Sequence, residues 1–394
     1  MVYADNAATT KMSRTAIDAM LPYMETHYGN PSSLYRLGQE AAEALQSARE
    51  TVAACLGCTP REITFTSGGS EADNQALISA ARIGERKGKK HIISTAFEHH
   101  AILHTLKKLE KEGFEVELLP VGPIGTVTAQ QVADAIRPDT CLVTNMYANN
   151  EIGSILPIAE IGAVCREKGV LFHTDAVQAA GHLRINVNEQ NIDMLSLSGH
   201  KFHGPKGTGV LYARQGIPLT NIIEGGAQER GKRAGTENVP GIMGLAAALK
   251  EACDHIDENA AKVSALRDQL IAGLSQIPHS ALNGDPVHRL PGNVNFCFEG
   301  IEGESLLLLL DQAGICASSG SACTSGSLDP SHVLLAIGRP HEVAHGSLRL
   351  SLCEWNTQED VDHILKEVPR IVAYLRSISP VWKDLASGKK QFML

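Results

Sequence analysis

Long apolar runs are missing from this 394-residue chain, whose longest unbroken leucine stretch is Leu306 to Leu310. A helix that crosses a membrane needs about 20 apolar residues in a row, so no membrane partner is expected. The opening residues, MVYADNAATT, hold neither a basic patch nor an apolar core, and a cytoplasmic protein is expected. Positive charge is scarce as well: 35 Lys and Arg stand against 44 Asp and Glu, a net charge of −9. Nucleic-acid binders concentrate basic residues to displace counterions, so no nucleic-acid partner is expected. Repeats and low-complexity tracts are absent, and 43% hydrophobic with 20% charged residues is ordinary globular composition. Nine cysteines, an odd number scattered over a long chain, fit reduced thiols better than a disulfide framework. Cys55 and Cys58 make one CxxC pair, but no second pair completes a zinc site, and the pair closes a helical stretch over 33–56. Structural filler at a helix end is the simpler reading.

What is present is an alternation of strands and helices. Residues 63–66, 91–95, 141–145 and 169–175 read as strands, and each is followed by a helical pattern or a turn leading to one. Such alternation predicts an α/β fold with a mostly parallel sheet and helices on both faces. Past Thr236 the pattern is helical to about Leu274, with a break expected near Pro240 and Gly241. Strands at 294–298 and 347–352, a helix at 305–311 and one capped by Thr357 then predict a smaller α+β domain. The length allows about two domains: a large one over 15–257, and a small one built from 1–14 and 258–394.

Within this frame the stretch LSLSGHKFHGPKGTGVLY, residues 195–212, sets one lysine, Lys201, between a strand end and a Gly-Pro turn. By default a lysine in such a loop is a solvated surface residue. Its company argues otherwise. Ligands of mostly parallel sheets bind at the carboxyl ends of strands, and Gly69, His99, Asn150, Asp175 and Lys201 all fall at predicted strand ends. Residues 66–71, TSGGSE, read as strand, glycine turn and helix start. There the unpaired N–H groups and the helix dipole favour a phosphate, and the Ser70 hydroxyl adds a donor. A lysine that holds pyridoxal phosphate needs phosphate donors, a partner for the ring nitrogen and a face for the ring. All three have candidates here. His100 and His104 share a helix face, but no carboxylate or cysteine pattern completes a metal set with them, so no resident metal is expected.

The residues also resemble a family. DNAATT, GNPSS, FTSGGSEADN, EHHAIL, ANNEIG, HTDAVQ, SLSGHKFHGPKG, GGAQERGKRAGTEN and SSGSACTSGSLDPSHVL occur in order between residues 5 and 351. They resemble the cysteine desulfurases of the NifS and IscS type, in the class V aminotransferase family of pyridoxal-phosphate enzymes, fold type I. The resemblance implies that Lys201 holds the cofactor covalently and moves protons, that Asp175 pairs with the ring N–H, and that His99 stacks on the ring. It further implies that Gln178 bonds the ring oxygen, that Gly69, Ser70, Ser198 and His200 hold the phosphate, and that Thr236 reaches it from the second subunit of a homodimer. Arg349 would clamp the substrate carboxylate, a task suited to a planar fork, with Asn30 and Asn150 as helpers. Ser70 stands where many relatives have Thr, which keeps the hydroxyl.

Cys323 bears on which bond is broken. Its neighbours, in ASSGSACTSGS, are small residues unable to pack a core, so an exposed, mobile segment is expected. The resemblance implies that the Cys323 thiolate takes sulfur from L-cysteine, leaving L-alanine, and passes it to an acceptor scaffold protein of the NifU or IscU type; Cys323 would also be able to contact a transferred iron–sulfur cluster. Cys316 reads as structural, with a resolving-thiol role as the alternative. Two other readings remain open: a selenocysteine lyase of the same fold, and a non-catalytic sulfur-trafficking relative. An aminotransferase is disfavoured because it has no use for a thiol on such a loop.

Overall fold

A computed structural model describes residues 1–319 and 330–394. The chain opens with a two-residue strand, β1 (Val2–Tyr3), and then builds β2 (Ile63–Thr66), β3 (His91–Thr95), β4 (Glu115–Leu119), β5 (Thr140–Met146), β6 (Leu171–Asp175), β7 (Met194–Ser198) and β8 (Gly209–Ala213). The last seven form one sheet in the order β2-β8-β7-β6-β5-β3-β4. The β4-β3-β5-β6-β7 run is parallel, and β8 lies antiparallel to both β7 and β2.

Alternate residues of the central strands feed opposite faces, as the strand period of two requires. Ile93, Val143, Phe172, Leu195 and Val210 belong to one buried cluster, while Ile92, Leu142, Met194 and Leu211 belong to another. Helices cover both sides, so these strands are buried along almost their whole length, polar residues such as Thr144 and Ser196 included. On the second face, the helix Gly69–Glu85 presents Ala72, Ala76, Leu77, Ala80 and Ala81 to the sheet. The small side chains let its N-terminus approach the strand ends closely.

The rest of the chain builds a second sheet from β9 (Ser280–Leu282), β10 (Asn293–Phe298) and β12 (Ser347–Ser351), in the order β12-β10-β9, while β11 (Ile315–Cys316) pairs with β1. Helices Ile256–Leu274 and Gln358–Ile378 cover this sheet with a third apolar cluster, to which Val2 and Ala4 of the N-terminus contribute. Asn6 donates to the Ser351 carbonyl at 2.9 Å, so the first residues lie against the second sheet as well as the first.

Some details depart from the sequence reading. Pro240 does not break a helix. It stands at the start of Val239–Asp254, where its missing N–H is not needed, and Asn238 caps the Gly241 N–H. The break falls at His255, before Ile256–Leu274. Strand β4 was not anticipated, because EVELL is largely exposed at a sheet edge and lacks an apolar run. No helix among the described residues is long and apolar enough to cross a membrane.

Candidate active site

The carboxyl ends of the parallel strands deliver the polar groups to one place. Strand β6 ends in Asp175, which is 5% exposed and accepts the Val177 N–H at 3.0 Å. Strand β7 gives way to a single 3-10 turn, Gly199–Lys201, which sets the lysine just beyond the neighbouring strand end. Lys201 Nζ donates to the Ala7 and Ala8 carbonyls, each at 2.7 Å, and Gln178 Nε2 donates to the same Ala7 carbonyl at 3.0 Å. Segment DNAATT therefore forms a wall of the site. After β3, His99 is the N-cap of helix His100–Lys111, its Nδ1 accepting the Ala101 N–H at 3.1 Å. An accepting Nδ1 leaves the hydrogen of a neutral ring on Nε2.

Gly69 and Ser70 start their helix at the end of β2, and with Ser198, His200, Asn150, Asp175, Gln178, His99, Lys201 and Arg349 they border a cavity of about 210 Å³. His200 Nδ1 lies 3.1 Å from Thr9 Oγ1, and burial together with Lys201 and Lys206 pushes its imidazole down to about 4. Arg349 comes from the other sheet. It is 1% exposed, its Nη2 pairs with Asp5 Oδ1 at 2.9 Å, its Nη1 donates to the Asn150 carbonyl at 3.1 Å, and its Nε has no hydrogen-bond partner. An arginine with its head in solvent is thereby excluded. Asn150 meets it through the backbone, not the side-chain amide.

Four further ionisable groups at or near the cavity wall were not singled out from sequence. Asp5 holds Arg349 and accepts the Ser318 hydroxyl at 2.9 Å. Asp73 borders the cavity at 1% exposure, and burial and the nearby Asp175 charge both raise its carboxyl above the usual range. Asp175 is itself raised by burial, opposed by His99 and Lys201. His173, pushed down to about 3 by burial, bridges Thr144 Oγ1 at 2.9 Å and Ser196 Oγ at 3.0 Å. Glu98, fully buried, is pushed up to about 8 and accepts from Thr95 and from the Met146 N–H. Asp5, Asp73, Glu98 and His173 all sit inside or beside the motifs quoted above; what the motifs did not reveal is which way each side chain turns.

Other sequence-predicted residues are not brought to the cavity within one chain. Asn30 and Thr236 are exposed, and Thr236 borders a separate cavity beside Ser67 and Arg233. Cys316 lies half-buried in β11. Cys323 lies outside the described residues, as does the expectation of a mobile loop around it.

The family model for class-V aminotransferases matches residues 2–364. A curated cysteine desulfurase IscS of Methanosarcina thermophila is 55% identical over 380 residues, covering 96% of this chain and 94% of the relative. One from Clostridium botulinum strain Hall is 53% identical over 393 residues, 99% of each. Among solved structures, a NifS-like protein superposes with a TM-score of 0.89 at 38% identity, over 95% of this chain and 100% of its own. A lysine, a buried carboxylate and an imidazole around one cavity at the carboxyl edge of this sheet, with a family match over nearly the whole length, define the class: the chain belongs to the class-V aminotransferase family. Within that family it is a cysteine desulfurase of the NifS and IscS type.

Proposed function

We propose that the cavity takes pyridoxal 5'-phosphate and L-cysteine, and that sulfur leaves the site on Cys323. The observation that supports this most directly is the convergence of Lys201, Asp175, His99, the Gly69 helix start and Arg349 on one cavity of about 210 Å³. The donor set fits the cofactor. An amine suited to covalent attachment, a carboxylate for the ring nitrogen and a helix N-terminus for the phosphate stand on separate strand ends. When bound, the cofactor supplies a sink for the electron pair left at the substrate α-carbon.

The chain's own residues do the rest. Asp175 keeps the ring nitrogen protonated, and His99, fixed as a helix cap, offers a flat face. Gly69, Ser70, Ser198 and the neutral His200 donate to the phosphate, and Gln178 donates to the ring oxygen. Arg349 is held in place by Asp5 and the Asn150 carbonyl, and receives the substrate carboxylate. Lys201 removes the α-proton and returns a proton. The Cys323 thiolate attacks the substrate sulfur, the carbon–sulfur bond breaks, and a persulfide on Cys323 and L-alanine result. No outside oxidant or reductant is needed, because the carbon gains the electrons that the sulfur gives up.

The reading includes a cytoplasmic homodimer in which Thr236 and Asn30 serve the partner's site, and a scaffold protein for iron–sulfur cluster assembly as acceptor. Leu21, Met24, Tyr28, Leu34 and Tyr35 are exposed around Asn30, an apolar surface a second copy would cover. The test is a single turnover of cofactor-loaded protein with L-cysteine, assaying alanine and protein-bound persulfide. Wild type should yield both, and Cys323→Ala should bind cysteine while releasing little alanine. Alanine formed equally fast by the variant would remove Cys323 from the mechanism.

A further inference from the structure

Outside the cavity, three side chains with metal-ligating atoms meet on the far side of the Lys201 turn. His203, Cys353 and Glu354 each place one such atom within 4.8 Å of the other two, and His203 Nε2 is 3.2 Å from Glu354 Oε1. The His203 ring is firmly placed. Its backbone N–H donates to Thr10 Oγ1 at 2.8 Å, Trp355 packs on the ring with centroids 4.0 Å apart, and the residue holds a left-handed φ of 64°, which non-glycine residues seldom adopt. Its Nδ1 lies 2.8 Å from the Lys11 carbonyl. A carbonyl only accepts, so Nδ1 bears a hydrogen, and in the neutral ring the lone pair is on Nε2. Nε2 is buried on a residue 5% exposed and is paired with Glu354 at 3.2 Å; against the effect of burial, Cys353 and Glu354 push the imidazole up to about 10, so a metal ion bound there takes the place of the Nε2 proton, which passes to solvent.

The geometry points to a binding site for one divalent transition-metal ion of the zinc class, held by His203 Nε2, Cys353 Sγ and a Glu354 oxygen with water in the fourth position. Tetrahedral ligands at about 2.0–2.3 Å stand roughly 3.3–3.6 Å apart. The imidazole–carboxylate edge already has that length, and the widest separation exceeds it by at most about 1.2 Å. Imidazole, thiolate and carboxylate together suit zinc and its neighbours better than magnesium or calcium. An Nδ1–H donated to a backbone carbonyl is the usual outer partner of a ligating histidine. A cavity of about 30 Å³ bordered by His203, Cys353 and Glu354 has room for one water. Glu354, with a side chain 25% exposed, gives the ion a way in.

On binding, the Cys353 S–H bond is replaced by a sulfur–metal bond and the proton passes to solvent. His203 follows Lys201 by two residues and Glu354 follows Arg349 by five, so the ion would tie the lysine turn to the segment leaving the arginine strand. The ion would therefore brace the two elements that face each other across the cavity, without touching substrate.

The test uses full-length, cofactor-loaded protein bearing Cys323→Ser, which removes a competing thiol. Co²⁺ is titrated as the probe, with tetrahedral ligand-field bands read at wavelengths beyond the cofactor's absorption and Zn²⁺ added as competitor. One equivalent of Co²⁺ should bind and be displaced by Zn²⁺. A further Cys353→Ser change should remove the thiolate signature, and Glu354→Gln should weaken Co²⁺ binding about tenfold or more, both with unchanged circular dichroism. Zn²⁺ should raise Tm in the parent and not in Cys353→Ser. Absence of tetrahedral bands, or bands that survive Cys353→Ser, would overturn the site and leave His203 and Glu354 as an ion pair beside a thiol.

Discussion

Arg349 and Glu98 are both buried charged-type residues, yet their surroundings give them opposite tasks. Arg349 is fixed by Asp5 and the Asn150 carbonyl, which take up two of its nitrogens, while Nε remains without a partner. Lysine would keep the charge and lose the planar fork. Arg349→Lys is expected to raise KM for L-cysteine about 10- to 100-fold with a much smaller change in kcat; steady-state alanine release measures it, and an unchanged KM would separate Arg349 from substrate. Glu98 is the reverse case, a carboxyl pushed up to about 8 by burial. Because the folded pKa lies above the unfolded one, the folded state binds more protons between about pH 4.5 and 8, so its stability falls as pH rises through that window. Glu98→Gln mimics the protonated form. It should match wild type in Tm near about pH 5 and exceed it increasingly toward about pH 8; parallel Tm curves across that range would mean that Glu98 is charged when folded.

At the scale of elements, the site depends on how closely β8 and the Gly69 helix start approach. Gly209 stands at the start of β8, and a Cβ there would come within 2.6 Å of the Gly68 backbone carbons and 2.8 Å of the Leu197 carbonyl oxygen. Those contacts are backbone, so the turn that leads into Gly69 would have to move. Gly209→Ala is expected to lower stability by roughly 1–3 kcal/mol and to speed cofactor loss, read by thermal unfolding and by the rate of cofactor release into a trapping buffer. Unaltered cofactor retention would show that the Gly69 helix start contributes little to holding phosphate. The turn is secured from a second side: Glu71 accepts the Ser67 N–H at 2.9 Å and pairs with Arg233 at 2.9 Å, which links it to the segment containing Thr236.

At the scale of the whole molecule, two sheets meet along the N-terminal segment, and the site needs both. The larger sheet supplies Asp175, Lys201 and His99, and the smaller supplies Arg349. If Asn30 and Thr236 act on a partner's site, a monomer would lack them. Leu34→Asp with Tyr35→Asp, both exposed in the single chain at 91% and 62%, is expected to yield a folded monomer by sedimentation with at least about tenfold lower turnover. A monomer of full activity would show that one chain suffices.

The strand-helix alternation, the glycine turn at 67–69, the cap at Thr357 and the strand-end placement of Asp175 and Lys201 were legible in sequence, because each rests on local periodicity or on the chemistry of a few adjacent residues. The motif resemblance pointed to the family from the same local information. Tertiary structure alone decided that Arg349 answers to Asp5 across 344 positions, that Asp73 borders the cavity while Glu98 and His173 are fully buried outside its lining, and that His203 meets Cys353 and Glu354. Side-chain direction and long-range pairing come from how the layers pack, and no local pattern encodes them. The helix break shows the same limit: Pro240 and Gly241 look disruptive in sequence, but a proline in a first turn costs nothing, and the chain bends at His255 instead.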